Sequence, residues 1–142
     1  MKVKDIMTVN PEFVDIDDSV ASAAGKMKQL NVGFMPVRDR GQVAGIVTDR
    51  DITTRLAAEH LDPDRTAVGD IMSPRVIYCK EDMDIEQAAQ IMEHEQLHRL
   101  LVRNDEGEFV GVLSLGDLAM TAGRELVGEV VRDISGISAP QR

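Results

Sequence analysis

The sequence predicts a mixed α/β (α+β) protein built from two copies of one β-α-β-β-α unit, packed around a pseudo-twofold axis. Three observations carry this prediction. A co-linear series of residue matches runs through the two halves of the 142-residue chain. Each half alternates strand-like and helix-like periodicity in the same order. A unit of about 60 residues would also struggle to bury its sheet alone, so two copies sharing one core is the natural solution.

The matches fix the organisation. Asp5-Ile6-Met7-Thr8 returns as Asp70-Ile71-Met72-Ser73. At the same spacing Val20, Ala23, Ala24 and Met27 return as Ile85, Ala88, Ala89 and Met92, and Val37-Arg38 as Val102-Arg103. One inserted residue then brings Gly45-Ile46-Val47-Thr48 onto Gly111-Val112-Leu113-Ser114, and Asp51 onto Asp117. One such match is chance; an ordered series is a duplication. The expected division is repeat 1 over 1–61, a linker over 62–68, repeat 2 over 69–121, and a C-terminal helix and tail over 122–142.

Within each repeat the elements follow in order. Phe13-Val14-Asp15-Ile16 and Val76-Ile77-Tyr78-Cys79 are β-branched and aromatic, which predicts a short first strand. A helix follows, opened by Asp17-Asp18-Ser19 in one copy and Glu81-Asp82 in the other. Its apolar stripe is Val20, Ala23, Ala24, Met27 or Ile85, Ala88, Ala89, Met92, at the i, i+3, i+4, i+7 spacing of a helix face. These stripes are expected to cover each other or a second subunit, because one such surface would otherwise stay open. Strands over Phe34 to Arg38 and Gln42 to Val47 are joined by Asp39-Arg40-Gly41, and their counterparts run Arg99 to Arg103 and Glu108 to Leu113 around Asn104-Asp105-Glu106-Gly107. A second helix begins near Asp49 or Leu115. Asp62-Pro63-Asp64-Arg65 punctuates the linker. Leu126, Val127, Val130, Val131 and Ile134 give the tail from Arg124 an amphipathic pattern, and 135–142 reads as loose.

Composition narrows the function classes. Hydrophobic residues make up 43% and charged residues 29%, the balance of a globular domain. The net charge is −9 and no basic stripe exists, which argues against a general polyanion binder. Aromatics are 3% with no Trp, leaving little for base stacking on single strands. No apolar run approaches the roughly 18 residues of a membrane helix, and the N-terminus lacks a signal-peptide pattern, so a cytoplasmic location is expected. The single cysteine, Cys79, excludes an intramolecular disulfide and reads as a small buried hydrophobe.

Chemistry concentrates in Gly45-Ile46-Val47-Thr48-Asp49-Arg50-Asp51 and Gly111-Val112-Leu113-Ser114-Leu115-Gly116-Asp117. Each runs strand, hydroxyl residue, then Asp three places later at a helix start. One reading is a capping box, in which the hydroxyl caps the helix and the Asp reaches back to a backbone N–H. The other is a binding site. A helix N-terminus suits phosphate, and a carboxylate one turn in can accept from both hydroxyls of a ribose. Both readings use the same geometry.

With the Asp-Ile-Met-Thr/Ser starts, the Met-Lys-Gln-Leu-Asn-Val-Gly-Phe-Met-Pro-Val stretch at 27–37 and the duplicated Gly-h-h-Thr/Ser-x-x-Asp motif, the chain resembles a pair of CBS domains. This tandem is called a Bateman module, here similar to stand-alone bacterial two-domain proteins over residues 1–121. The resemblance implies a regulatory, non-enzymatic module that binds an adenosine derivative (AMP, ADP, ATP or S-adenosylmethionine) in clefts between the repeats, with no further cofactor. It also implies a homodimer acting through a separate effector protein, with no nucleic acid or membrane partner. The rival expectation is a partner-binding or stress-associated dimer without an adenylate. By resemblance, Asp51 and Asp117 hold the ribose and Thr48 and Ser114 lie near phosphate. Arg50 and the His98-Arg99 pair would supply positive charge. The adenine would lie against Phe13, Val14, Pro36, Val76 and Ile77. The second copy has Leu115-Gly116 for Asp49-Arg50 and Leu101 for Pro36, and the first has Gly33-Phe34 for His98-Arg99, so the two sites are chemically unequal.

His94-Glu95-Gln96-Leu97-His98 also matches the zinc-hydrolase helix motif. That chemistry needs both histidines on one helix face. The repeat instead aligns His98 with Gly33, beyond the helix end, so no metal site is expected.

Overall fold

The strand–turn–strand pattern of each repeat forms a hairpin, and each hairpin organises one of two compact units. The computed structural model describes residues 1–9, 12–121, 131 and 134. One unit is Pro11–Val76; the other joins Met1–Asn10 to Ile77–Arg142. In chain order the strands are β1 (Thr8–Val9), β2 (Val14–Asp15), β3 (Phe34–Asp39), β4 (Gln42–Thr48), β5 (Tyr78–Lys80), β6 (Arg99–Arg103) and β7 (Phe109–Ser114). The helices are α1 (Val20–Leu30), α2 (Asp49–Asp51), α3 (Val68–Ile71), α4 (Ile85–Glu95) and α5 (Leu115–Thr121). A 3-10 turn spans Val3–Asp5, and α2 runs on into a π-helical segment, Ile52–Ala57. The C-terminal helix expected from 124, apart from Val131 and Ile134, lies outside the described residues, as does 135–142.

The two sheets repeat one plan. In Pro11–Val76 the strand order is β2-β3-β4, with β2 parallel and β4 antiparallel to β3. In the other unit the order is β5-β6-β7 with the same directions, and β1 is added antiparallel to β7. Both hairpins carry a bulge at the matching place, where the register shifts after Val37 and after Val102. The first hairpin closes through Arg40 and Gly41, both at positive φ (51° and 79°), the twist that a two-residue turn requires. The second has a longer turn, with Gly107 at φ 82°, and this turn takes up the inserted residue.

Helix ends are set locally. Ser19 caps α1 by accepting from the Ser22 N–H at 3.1 Å. The cap of α4 is Asp84, paired with Gln87 in a capping box, and not the expected Glu81-Asp82. Glu81 and Asp82 are engaged with the N-terminal segment instead: the Glu81 carbonyl accepts from the Lys4 N–H at 2.9 Å, and Asp82 pairs with the Lys4 ammonium at 2.9 Å. Both helices end on a left-handed residue, Asn31 (φ 55°) and Gln96 (φ 56°). The first strands are shorter than expected, because only Val14–Asp15 and Tyr78–Lys80 find a partner in the ladder.

The helix stripes require a correction. Val20, Ala23 and Met27 are buried with Met35, Val37 and Val47 in the core of their own unit. Ile85, Ala88, Ala89 and Met92 are buried with Leu100, Val102 and Leu113 in theirs. All the stripe residues but Ala24, which is half-buried, therefore pack within their own unit's core, and the expected open surface is not formed by these residues.

The leading motifs make the plan reciprocal. Val3 is fully buried in the unit that carries the second repeat, held by its N–H to the Met83 carbonyl at 2.8 Å. Its repeat counterpart Val68 is fully buried in the unit that carries the first repeat, held to the Asp18 carbonyl at 2.8 Å. Each Asp-Ile-Met segment is thus built into the unit whose sheet comes from the other repeat.

Candidate functional site

At the end of β4 the chain turns directly into a helix, which leaves the first N–H groups of that helix without intrahelical partners. Thr48 and Asp51 satisfy two backbone donors reciprocally. The Asp51 N–H donates to Thr48 Oγ1 and the Thr48 N–H to Asp51 Oδ2, both at 3.0 Å. Ser114 and Asp117 repeat the arrangement at 3.0 and 2.8 Å. The capping box is therefore formed in both copies. The start of each helix is also tied to the preceding strand entry. The Asp49 N–H donates to the Gly33 carbonyl at 2.9 Å and the Leu115 N–H to the His98 carbonyl at 2.8 Å. The divergence is coupled: a Cβ on Gly33 would stand 2.9 Å from the Asp49 carboxylate, and where the second copy has a side chain at this position, His98, the Asp49 position holds Leu115.

Around this common frame the two sites differ. Asp51 is 6% exposed, and more than its cap partner engages it. The Ser73 hydroxyl lies 3.1 Å from Oδ1 and 3.4 Å from Oδ2. The Arg55 guanidinium is 3.9 Å from Oδ1 and donates to the carbonyls of Ile71 and Met72 at 3.2 and 3.0 Å. Arg55 lies on the π-helical segment, where Thr53 and Thr54 hydroxyls bond back to the Asp49 and Arg50 carbonyls. In the second copy the position of Arg55 is taken by Thr121, whose hydroxyl donates to the Asp117 backbone carbonyl at 3.1 Å. Among the described residues, Asp117 Oδ1 receives no donor.

The predicted residues fall as follows. Arg50 is exposed on α2, and its backbone N–H donates to the Asp49 carboxylate at 2.8 Å. Arg99 opens β6 directly across from Ser114, so the structure brings Arg99, Ser114 and Asp117 to one end of one sheet, with His98 exposed beside them. Of the residues expected to lie against an adenine, Val14 is 1% exposed and packed in its unit's core, and Pro36 is buried in the middle of β3. The Arg38 guanidinium covers the Phe13 ring at 5.1 Å. Val76 and Ile77 are half-buried ahead of β5, and the Ile77 carbonyl accepts from the Leu101 N–H at 3.0 Å. Sequence reasoning missed Ser73 and Arg55. The signals were present: an acid and a base at i, i+4, and a hydroxyl ending each repeated Asp-Ile-Met motif.

Other features are placed too. Gln96, left-handed, ends α4 between His94 and His98, so the two histidines do not share a helix face. Cys79 is buried in β5, and burial pushes its thiol up to about 11. An open cavity of ≈ 730 Å³ near the β3–β4 turn is edged by Asp15, Asp17, Asp18, Asp39 and Asp70, and it contains none of the predicted site residues. No helix among the described residues is long and apolar enough to cross a membrane.

Comparison with known proteins matches the fold. The CBS domain model matches residues 3–58 and 68–122. The CBS domain-containing protein YhcV of Bacillus subtilis (strain 168) is 37% identical over 134 residues, covering 94% of each chain. The solved structure of CBSX2 in complex with AMP matches with a TM-score of 0.70 at 26% identity, over 85% of this chain and 95% of that one. The CBS domain pair of MJ0100, in complex with 5′-methylthioadenosine and S-adenosyl-L-methionine, matches with a TM-score of 0.74 at 26% identity, over 84% of this chain and 94% of that one. With two matched copies, each ending its sheet in the same hydroxyl–carboxylate pair, the chain belongs to the CBS domain family.

Proposed function

We propose that this protein is a non-enzymatic sensor that binds an adenosine-containing ligand, AMP, ADP, ATP or S-adenosylmethionine, and passes the signal to a separate effector protein. One observation carries the reading. The hydroxyl–carboxylate pair is retained at both strand-to-helix junctions although its surroundings have diverged, Arg55 against Thr121 and Gly33 against His98. A carboxylate held in a cap can still accept from a ribose diol through its remaining lone pairs. The relatives solved with AMP, and with 5′-methylthioadenosine and S-adenosylmethionine, support the ligand class. In this reading a ribose is held by the carboxylate, phosphates lie near the hydroxyl, and Arg99 with His98, or Arg50, offsets their charge against a chain of net charge −9. Signalling requires that the ligand bind one conformation more tightly than another. The reading includes a homodimer, which sedimentation at micromolar concentration checks.

Calorimetric titration with the four ligands tests it. Wild type is expected to bind at least one of them, Asp117→Asn to lose affinity because an amide offers one acceptor oxygen to two hydroxyls, and Arg99→Ala to weaken ATP more than adenosine. Added salt should shrink that last difference. The formed capping boxes favour a second reading, a partner-binding dimer whose carboxylates are structural only. That reading predicts no binding by wild type at millimolar ligand, and such a result would replace the sensor.

A further inference from the structure

The two carboxylates differ in how much hydrogen-bonding capacity the fold has already used. An ionised carboxylate has about four acceptor positions. At Asp51 two hydrogen-bond donors are already present, the Thr48 N–H at 3.0 Å from Oδ2 and the Ser73 hydroxyl at 3.1 Å from Oδ1, and the Arg55 guanidinium stands 3.9 Å from Oδ1 as an ion-pair partner. Ser73 and Arg55 both stand on the Oδ1 side, where a ribose diol would have to approach, and the side chain is buried. At Asp117 the Ser114 N–H at 2.8 Å is the one donor among the described residues, and the side chain is half-buried.

From this contrast we infer that Ser73 and Arg55 are internal stand-ins for a ligand, which close the Asp51 site and leave Asp117 as the carboxylate that binds the diol. The inference rests on the proposed sensor function and specifies which site performs it. Ser73 presents a hydroxyl where a ribose hydroxyl would come. Arg55 adds a cation that turns the carboxylate inward. It is anchored by the Ile71 and Met72 carbonyls, so its position does not depend on Asp51 alone. Ser73 is anchored in turn by its backbone, which exchanges hydrogen bonds with Ile46 at 2.8 and 2.9 Å. A ligand at Asp51 would have to displace two groups that the backbone holds in place. At Asp117 the equivalent of Arg55 is Thr121, whose hydroxyl is directed to a backbone carbonyl.

The test is the stoichiometry of AMP and of S-adenosylmethionine binding to the full chain, read by calorimetry. Wild type is expected to bind one equivalent per chain, and Asp117→Asn none. The double variant Arg55→Thr with Ser73→Ala, which copies the second site at position 55, is expected to bind two equivalents. Adding Asp51→Asn to it should return the count to one. Two equivalents in wild type, or an equivalent retained in Asp117→Asn, overturn the inference while leaving the sensor function standing. A folded double variant that gains no second equivalent overturns it as well. Should that variant not fold, wild type and Asp117→Asn decide alone. Absence of any binding in wild type removes the sensor function, and the inference with it.

Discussion

Gly45 and Met72 interlock: a Cβ on Gly45 would stand 3.1 Å from the Met72 sulfur and 2.5 Å from the Ser73 carbonyl oxygen. Gly111 stands in the same relation to Met7 and Thr8, at 2.9 and 2.6 Å. The two most visible sequence motifs therefore explain each other, since the glycine of one is the seat of the methionine of the other.

Gly45→Ala and Gly111→Ala should each destabilise the fold by about 1–3 kcal/mol, because the obstructing atom is backbone and cannot rotate away. Gly25→Ala is the control. It lies inside α1 with nothing within 4 Å of its added Cβ, and should stabilise by about 0.5–1 kcal/mol. Urea midpoints at constant slope separate the two outcomes.

Removing either cap hydroxyl, Thr48→Ala or Ser114→Ala, should cost about 1 kcal/mol. Asp51→Ala should cost more, about 1–3 kcal/mol, since it also strips the Ser73 hydroxyl of its acceptor and the Arg55 guanidinium of its ion-pair partner. Equal losses for Thr48→Ala and Asp51→Ala would show that neither contact stabilises the fold.

Both long helices end left-handed, but Asn tolerates that conformation better than Gln does. Gln96→Gly should therefore stabilise by about 1 kcal/mol, and Asn31→Gly by less. Thermal melts of the two variants, measured side by side, give the order.

Burial raises the Cys79 thiol from 9.0 to about 11. The unfolded chain therefore ionises first as pH rises. The stability that this group contributes is intact below pH 9 and is lost as pH climbs toward 11. Alkylation by iodoacetamide at pH 8 should be slow in the native protein and fast in urea; rapid native labelling contradicts the burial.

Much of the fold was legible because it is written in local periodicity. The i, i+3, i+4, i+7 stripes located α1 and α4, and the β-branched runs located the hairpins to within a residue or two. The capping pairs at Thr48–Asp51 and Ser114–Asp117 were legible as well, since their partners are three residues apart. What covers the stripes was not legible. A stripe shows that a face is buried, and it does not show whether a sheet or a second subunit covers it.

The sequence by itself determined the duplication, the order of the elements and the placing of a hydroxyl and a carboxylate at each helix start, because all of these are short-range patterns. Only the tertiary structure decided that each Asp-Ile-Met segment docks in the unit of the other repeat's sheet, and that Ser73 and Arg55 converge on Asp51 while, among the described residues, only the Ser114 N–H donates to the Asp117 carboxylate. Except for the i, i+4 pair of Asp51 and Arg55, those relationships join residues distant along the chain. They follow from how a glycine-lined strand admits a second backbone, which no window of sequence contains.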